Sequence, residues 1–393
     1  MGRHSLPDDP AQRSTGARPG ARRRTILLAS GLLLAVAGGS VVALRGDLLP
    51  FGKPCDGPSV RLGVAAAPDI APALQVVAKR AREDATRTDG RCLDVTVTPR
   101  ASHEIADSFG QRPADPEFQV WIPDSRLWVD RVAAENGTPL TAAATIASSP
   151  VTLAAVPRAA RALGWPAKTY DWTGLTQAAT SDDGIRLGVA DPARSATGLL
   201  ALSRMAAAGT RGTQATKSGD EAVTRTAATA KLLHQRVADG DDQAVATLPR
   251  DGSGAEQGNP RRNQALLLSE QAAYAHNTGA DGGADLDLFY PSDGAAQLDY
   301  PYTLVDAEEL TPEQTRAASR FMTLLVESEG QHTLRAHGFR AGNGAAAPKV
   351  VEAAGGRAPQ PYSAAPADPP SVKQLQALLG MWTVAVQSGP SPR

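Results

Sequence analysis

Aromatic side chains make up only 4% of this 393-residue chain. A core of this size must therefore be filled mainly by Ala, Val and Leu, which suits helices packed closely on a sheet. Net charge is also missing: 40 basic and 41 acidic residues leave a balance of -1, so no bulk field draws the chain to nucleic acid. The six histidines are scattered, and His332 and His337, five residues apart, do not share a helix face as a metal pair would. The sequence contains no HExxH, P-loop, GxGxxG or CxxC, which removes the common signatures of zinc hydrolases, phosphate-cradling loops and thiol redox centres. Ser253 in DGSGA sits in a polar loop rather than on a nucleophile elbow. The aspartates of GADGGADLDLF do not form a twelve-residue calcium loop. No cofactor, bound metal or catalytic activity is expected.

What positive charge does cluster lies at the start, where Arg3, Arg13, Arg18, Arg22, Arg23 and Arg24 outnumber Asp8 and Asp9. Residues 1–24 have no apolar period and read as a disordered cytoplasmic tail. The run TILLASGLLLAVAGGSVVAL, residues 25–44, carries no charge and is close to the ~20 residues a helix needs to cross a bilayer. Arginines before it and Asp47 after it predict a single-pass anchor with the rest of the chain outside the cell. AVA at residues 35–37 offers a signal-peptidase site, and cleavage there would give a secreted protein. Residues 45–56 form a linker. Beyond it stand two cysteines, Cys55 and Cys92. An even pair outside the cytoplasm reads as a disulfide, the alternative being two unrelated thiols.

From residue 57 strand and helix patterns alternate. VRLGVAAAPDIAPALQVVAKRARED reads as strand, loop and helix, with Asp69 as N-cap and Leu74, Val77, Ala78 and Ala81 at helical spacing. The scheme repeats in EFQVWIPDSRLWVDRVAAENG, where Gly137 stops the helix, in PVTLAAVPRAARALGW and in GIRLGVADPARSATGLLALSRMAAAG. Thr311, Pro312 and Gln314 mark a later helix with a capping box. Such alternation argues for an α/β architecture with parallel-rich sheets, in which ligands collect at the carboxyl ends of strands. Residues 341–370 form a Pro/Ala/Gly linker. Residues 371–393 hold a last helix and a tail, with Leu375, Leu378, Leu379 and Trp382 on one face.

The turn at residues 191–198 draws attention. Ser195 is placed to N-cap a helix whose first backbone N–H groups, unpaired within the helix, can hold an oxyanion, with Thr197 as a second hydroxyl donor and Gly198 allowing close approach. The plainer reading is a Ser-capped helix with no ligand.

Several stretches in order, VRLGVAAAPDIAPALQ, QVWIPDSRLWVDRV, IASSPVTLAAV, RLGVADPARSATGLLAL, LLLSEQAAYAHN, LFYPSDGAAQLDYPYTLV and FMTLLVESEGQHTLRAHGFR, resemble the bacterial extracellular solute-binding proteins. The likeness is to the type 2 periplasmic-binding fold of the molybdate-binding kind, in an actinobacterial membrane-anchored subgroup often fused to a von Willebrand factor A domain. The resemblance covers roughly residues 57–340 and implies two α/β lobes, lobe one from 57–148 and 302–340 and lobe two from 149–301, around a ligand cleft. It implies cleft-facing positions at Ala67, Asp69, Asp124, Ser125, Ser148, Ser149, Ser195, Thr197, Gly198, Glu270, Tyr300 and Tyr302.

Two departures qualify it. Where oxyanion-binding members show a hydroxyl in the first turn, this chain has AAPDI, and Asp69 with Asp124 would repel a dianion. An amine-bearing or neutral polar solute, or no small ligand, fits better. After QLQALLGMWTVAV, the DxSxS motif of a von Willebrand domain does not follow. The expected function is a membrane-tethered solute-binding protein serving a transporter permease or sensing partner. The alternative is a cell-envelope interaction or scaffold protein that keeps the fold without a solute.

Overall fold

The computed structural model describes residues 55–109, 118–137, 139–180, 185–211, 219–279, 285–306, 308–340, 344–346, 349–350 and 370–388. The basic tail, the apolar run 25–44 and most of the linkers 45–56 and 341–370 lie outside these residues. Among the described residues no helix is long and apolar enough to cross a membrane.

The first half of the chain gives β1 (Ser59–Ala66), α1 (Ala71–Glu83), β2 (Arg87–Thr88), β3 (Arg91–Pro99), α2 (Ser102–Phe109), β4 (Val120–Ile122), α3 (Arg126–Asn136) and β5 (Leu140–Thr145). There follow β6 (Ser149–Ala155), α4 (Pro157–Ala162), α5 (Trp172–Thr180), β7 (Leu187–Ala190), α6 (Ala196–Arg211), α7 (Gly219–His234), β8 (Val237–Ala238), α8 (Asp241–Ala246) and α9 (Gly254–Gly258). The chain continues with β9 (Ala265–Ser269), α10 (Glu270–Thr278), β10 (Asp287–Phe289), β11 (Gln297–Leu298), β12 (Pro301–Val305), α11 (Pro312–Val326), α12 (Ser328–Ala336) and α13 (Val372–Ser388).

Two six-stranded sheets result. The first runs β2-β3-β1-β4-β12-β5; the second runs β10-β6-β9-β7-β8, with β11 beside β6. Each sheet with the helices packed on it is termed a lobe, lobe one for the first sheet and lobe two for the second. The chain crosses between them twice, from β5 to β6 and from β11 to β12.

Among the described residues, parallel pairing is confined to β1 with β3 and β4, and β7 with β8 and β9. The expectation of parallel-rich sheets is therefore corrected: both are mixed. The returning strand β12 runs antiparallel to β4 and β5, and β6 runs antiparallel to β9, β10 and β11. A strand that enters a sheet directly from the other lobe has no crossover helix to reverse it, so it pairs antiparallel.

Local chemistry explains the helices. α1 buries Ala71, Leu74, Val77, Ala78 and Ala81 against the sheet, the 3.6-residue period of an amphipathic helix. Asp69 is not its cap, as the sequence reading expected. The N-cap position falls on Ile70, whose N–H donates to the Asp69 carboxylate at 2.9 Å, with Pro72 in the first turn. Ser125 caps α3, and Gly137 ends it in the left-handed conformation at φ 62°. Thr311 and Gln314 form the expected reciprocal capping box on α11.

The parallel register of β1 and β3 sets Ser59 opposite Cys92, which brings Cys55 within reach. The two cysteines form a disulfide with Cα atoms 5.8 Å apart, closing a loop of sequence separation 37. Replacing both with Ser should lower unfolding free energy by about 4 kcal/mol on the loop-entropy relation, read from denaturant midpoints.

Candidate functional site

Four strand-to-helix turns meet between the lobes. Each leaves the carboxyl end of a parallel strand: β1 leads to Asp69, β4 to Asp124, β7 to the turn 191–195 and β8 to Asp241. In open α/β sheets these ends are where ligands are held. The second crossing adds Tyr300, whose φ of 30° is unusual for a bulky residue and is the kind of backbone strain found at functional sites.

Asp69, Asp124 and Asp241 each keep partial solvent contact while lying close enough to act on one another electrostatically. The Tyr300 hydroxyl, itself fully buried, donates to Asp69. Asp124 accepts from the Trp128 indole at 2.8 Å, and its backbone N–H donates to Ser102 Oγ at 3.1 Å. It also takes a backbone hydrogen bond from Ala196, the first residue of α6 in the opposite lobe. Ser195 Oγ and Thr197 Oγ1 donate to the two oxygens of Asp241, each at 3.1 Å. The amino end of α6 is thus an anion site as its chemistry predicts, but the anions it holds are carboxylates of the protein itself.

The electrostatics follow from this crowding. Burial, and then the Asp124 charge, push Asp69 up to about 7, against the opposing Tyr300 hydrogen bond. Burial, and then Asp124, likewise push Asp241 up to about 7, against the two hydroxyl donors. Asp124 is raised by burial, which outweighs the help of Ser102, Trp128 and Ala196. Burial and the Asp69 charge hold the Tyr300 hydroxyl protonated. The strongest influences on these three carboxyls are burial, neighbouring carboxylates and hydrogen-bond donors, so they compete with one another for charge.

Not every residue expected to face the cleft does so. Tyr302, on β12, turns into lobe one and donates to the Ala318 carbonyl at 2.8 Å. Tyr300 and Tyr302 therefore do not act together: the register shift of β12 between Tyr302 and Thr303 and the turned backbone at Tyr300 give them separate environments. Glu270 is fully buried. Arg340 binds both its oxygens, at 2.8 and 2.6 Å, and Tyr290 donates to it at 2.6 Å. It is an anchor at the crossing rather than a ligand group, since Arg340 also pairs with Ser148 through the backbone. Ser149 Oγ is consumed by the Gln271 N–H. Ala67 is buried, its carbonyl accepting from Ile70 and Ala71. Ser125 serves its helix cap.

Gly198 is small for a reason other than ligand approach. A Cβ there would overlap the carbonyl oxygen of Ala190 and crowd Pro192, so the residue lets α6 leave β7 at close quarters. Gly198→Ala should accordingly cost about 3 kcal/mol or more, measured by thermal unfolding.

Asp241 was missed in the sequence. Its signal was the fourth strand-turn-helix, QRVADGDDQAVA, whose two-residue strand is too short to register as a pattern. Among the described residues no group of three or more His, Cys, Asp or Glu converges tightly enough to hold a metal ion.

Two mixed α/β sheets joined by two chain crossings are the fold that comparisons with known proteins can be set against. Residues 62–340 match the model of the family described as bacterial extracellular solute-binding protein, and the chain belongs to that family. Among solved structures it is similar to the periplasmic thiamin binding protein, with TM-score 0.58, 14% identity, and 84% of this chain and 96% of that one covered. It is also similar to iron-bound HitA from Pseudomonas aeruginosa, with TM-score 0.56, 14% identity and coverage of 83% and 99%. The uncharacterised Mycobacterium tuberculosis protein Rv1836c (strain H37Rv) is 26% identical over 352 residues, 84% of this chain and 50% of its own length. The chain spans about half the length of the curated relatives it matches.

Proposed function

We propose that this protein is an exported, membrane-tethered solute-binding protein that closes on a small organic cation, for delivery to a permease or for sensing. One observation carries the cationic assignment: Asp69 and Asp241 both feel the charge of Asp124, with no Lys or Arg among the groups that act on the three most strongly. A dianion such as molybdate would meet like charge on both walls. An ammonium or comparable organic cation would replace the protons now shared among these carboxylates, and the Tyr300 hydroxyl and Trp128 indole would hold Asp69 and Asp124 toward it. The carboxylates are spread over both lobes, which favours an extended cationic group over a bare metal ion. Thiamin, bound by one of the similar structures, is an organic cation of this kind. Tethering and an extracellular location rest on residues 25–44 and on the family.

A thermal-shift screen of residues 45–393 against amines, thiamin, amino acids, sugars and oxyanions tests the reading. A cationic solute at a hundred times its Kd should add about 2.7 kcal/mol of stability, with oxyanions silent. Stabilisation by molybdate or sulfate, or by no compound of any class, would overturn it.

A further inference from the structure

The last described helix, α13, lies across both lobes. It packs on α6 and α7 of lobe two and also meets α3 of lobe one. Leu375, Leu378, Trp382 and Ala385 are its buried face, repeating at the 3-4-3 spacing of a docked amphipathic helix. Trp382 is only 2% exposed. Its ring meets His234 edge-on at 5.8 Å, and its indole N–H donates to the Asp191 carboxylate at 2.8 Å.

Asp191 is the residue on which the β7–α6 turn is built. Its carbonyl accepts from the N–H groups of Arg194 and Ser195, and its carboxylate accepts from Ala193. The same turn presents Ser195 and Thr197 to Asp241. Trp382 therefore fixes, through Asp191, one wall of the cleft from outside it. On its other side α13 presents Gln376, Leu379 and Thr383 to a groove of about 730 Å³, which α2 and α3 line with Glu104, Asp107 and Glu135. Of the cations there, Arg131 is engaged by Asp107 and Glu135, and Arg194 by Asp239.

We infer that α13 is a strap: seated on lobe two and reaching lobe one, it holds the lobes together, and Trp382 is a positioning residue for the Ser195–Thr197 wall. An opening motion about the two crossings pulls α3 away from α13 or lifts α13 off α7. The position of this helix and the state of the cleft are then two readings of one equilibrium. Nothing in this depends on which solute binds, and it is tested without one.

Spin labels at Lys79→Cys in lobe one and Arg261→Cys in lobe two, with the native disulfide kept oxidised, report the interlobe distance distribution. The otherwise intact protein should give one short population, and ending the chain after residue 370 should shift it to longer distances. Gln376→Glu with Thr383→Glu, which leaves the buried face of α13 untouched and sets carboxylates opposite Glu104, Asp107 and Glu135, should give the same shift; the matching Lys pair should not. Trp382→Phe keeps the apolar contact and removes one donor, so amide hydrogen exchange at residues 193–197 should quicken about tenfold while the melting temperature barely moves. Distance distributions unchanged by both the truncation and the Glu pair would overturn the strap. Unchanged exchange at residues 193–197 would overturn the positioning role.

Discussion

Glu270→Gln is expected to destabilise the protein by about 3–5 kcal/mol, the cost of leaving a buried guanidinium without its carboxylate. Arg340 and Glu270 are both wholly inaccessible to solvent. Burial works against the Arg340 charge, yet the Glu270 hydrogen bonds and charge more than offset it and raise the guanidinium's pKa. The pair also has a mechanical place. Glu270 opens α10 in lobe two, whereas Arg340 follows α12 in lobe one and bridges to Ser148 at the first crossing. Nearby, Gln271 donates to the His337 carbonyl and Tyr274 to the Ala336 carbonyl. These bonds gather at the first crossing. Replacing both partners, Glu270→Leu with Arg340→Met, should recover most of the loss, because two apolar side chains leave no charge unpaired. Denaturant midpoints of the two variants and the parent decide it: a Glu270→Gln protein as stable as the parent would show that the pair is not an anchor.

The ligand-free protein should become less stable as pH rises from about 4 to 8. Asp69 and Asp241 stand at about 7 in the folded protein, against 3.8 for an ordinary aspartate. Between those values the folded state holds protons that the unfolded chain has released. Their contribution is full below pH 4 and is lost as pH passes through 7. Partial solvent contact at both residues reduces the loss to the order of 2 kcal/mol in total. Other carboxylates carry their own pH dependence, so the informative quantity is the difference between the parent and Asp69→Asn/Asp241→Asn. The double variant should lose the decline between about pH 4 and 8. A parent whose stability rises over that window relative to the variant would refute the assignment. Binding of an organic cation should show the opposite trend, tightening with pH up to about 8 by as much as tenfold per unit for each proton displaced.

Much of this protein could be read along the chain because the responsible interactions are local. The 3.6-residue apolar period of α1, the Gly137 stop of α3 and the Thr311–Gln314 box on α11 each depend on neighbours within a few residues. The disulfide was legible for a related reason: a strand, one helix and a second parallel strand leave few places for the strand starts. Asp69 and Asp124 are expected to face a cleft only through the family resemblance; the local pattern shows no more than that they follow apolar strands.

What the sequence by itself determined is an alternating α/β chain with ligand-competent turns and acidic residues in two of them. Only the tertiary structure decided what those turns face. Asp241 joins Asp69 and Asp124 from a two-residue strand, and the hydroxyls of Ser195 and Thr197 go to a carboxylate 44–46 residues away rather than to a solute. Glu270 and Tyr302 leave the site for the same reason: whether a polar side chain meets solvent, an ion-pair partner or a helix carbonyl is set by which lobe closes over it. That is a matter of strand order and crossing direction, and neither the spacing of residues nor their identity along the chain encodes it locally.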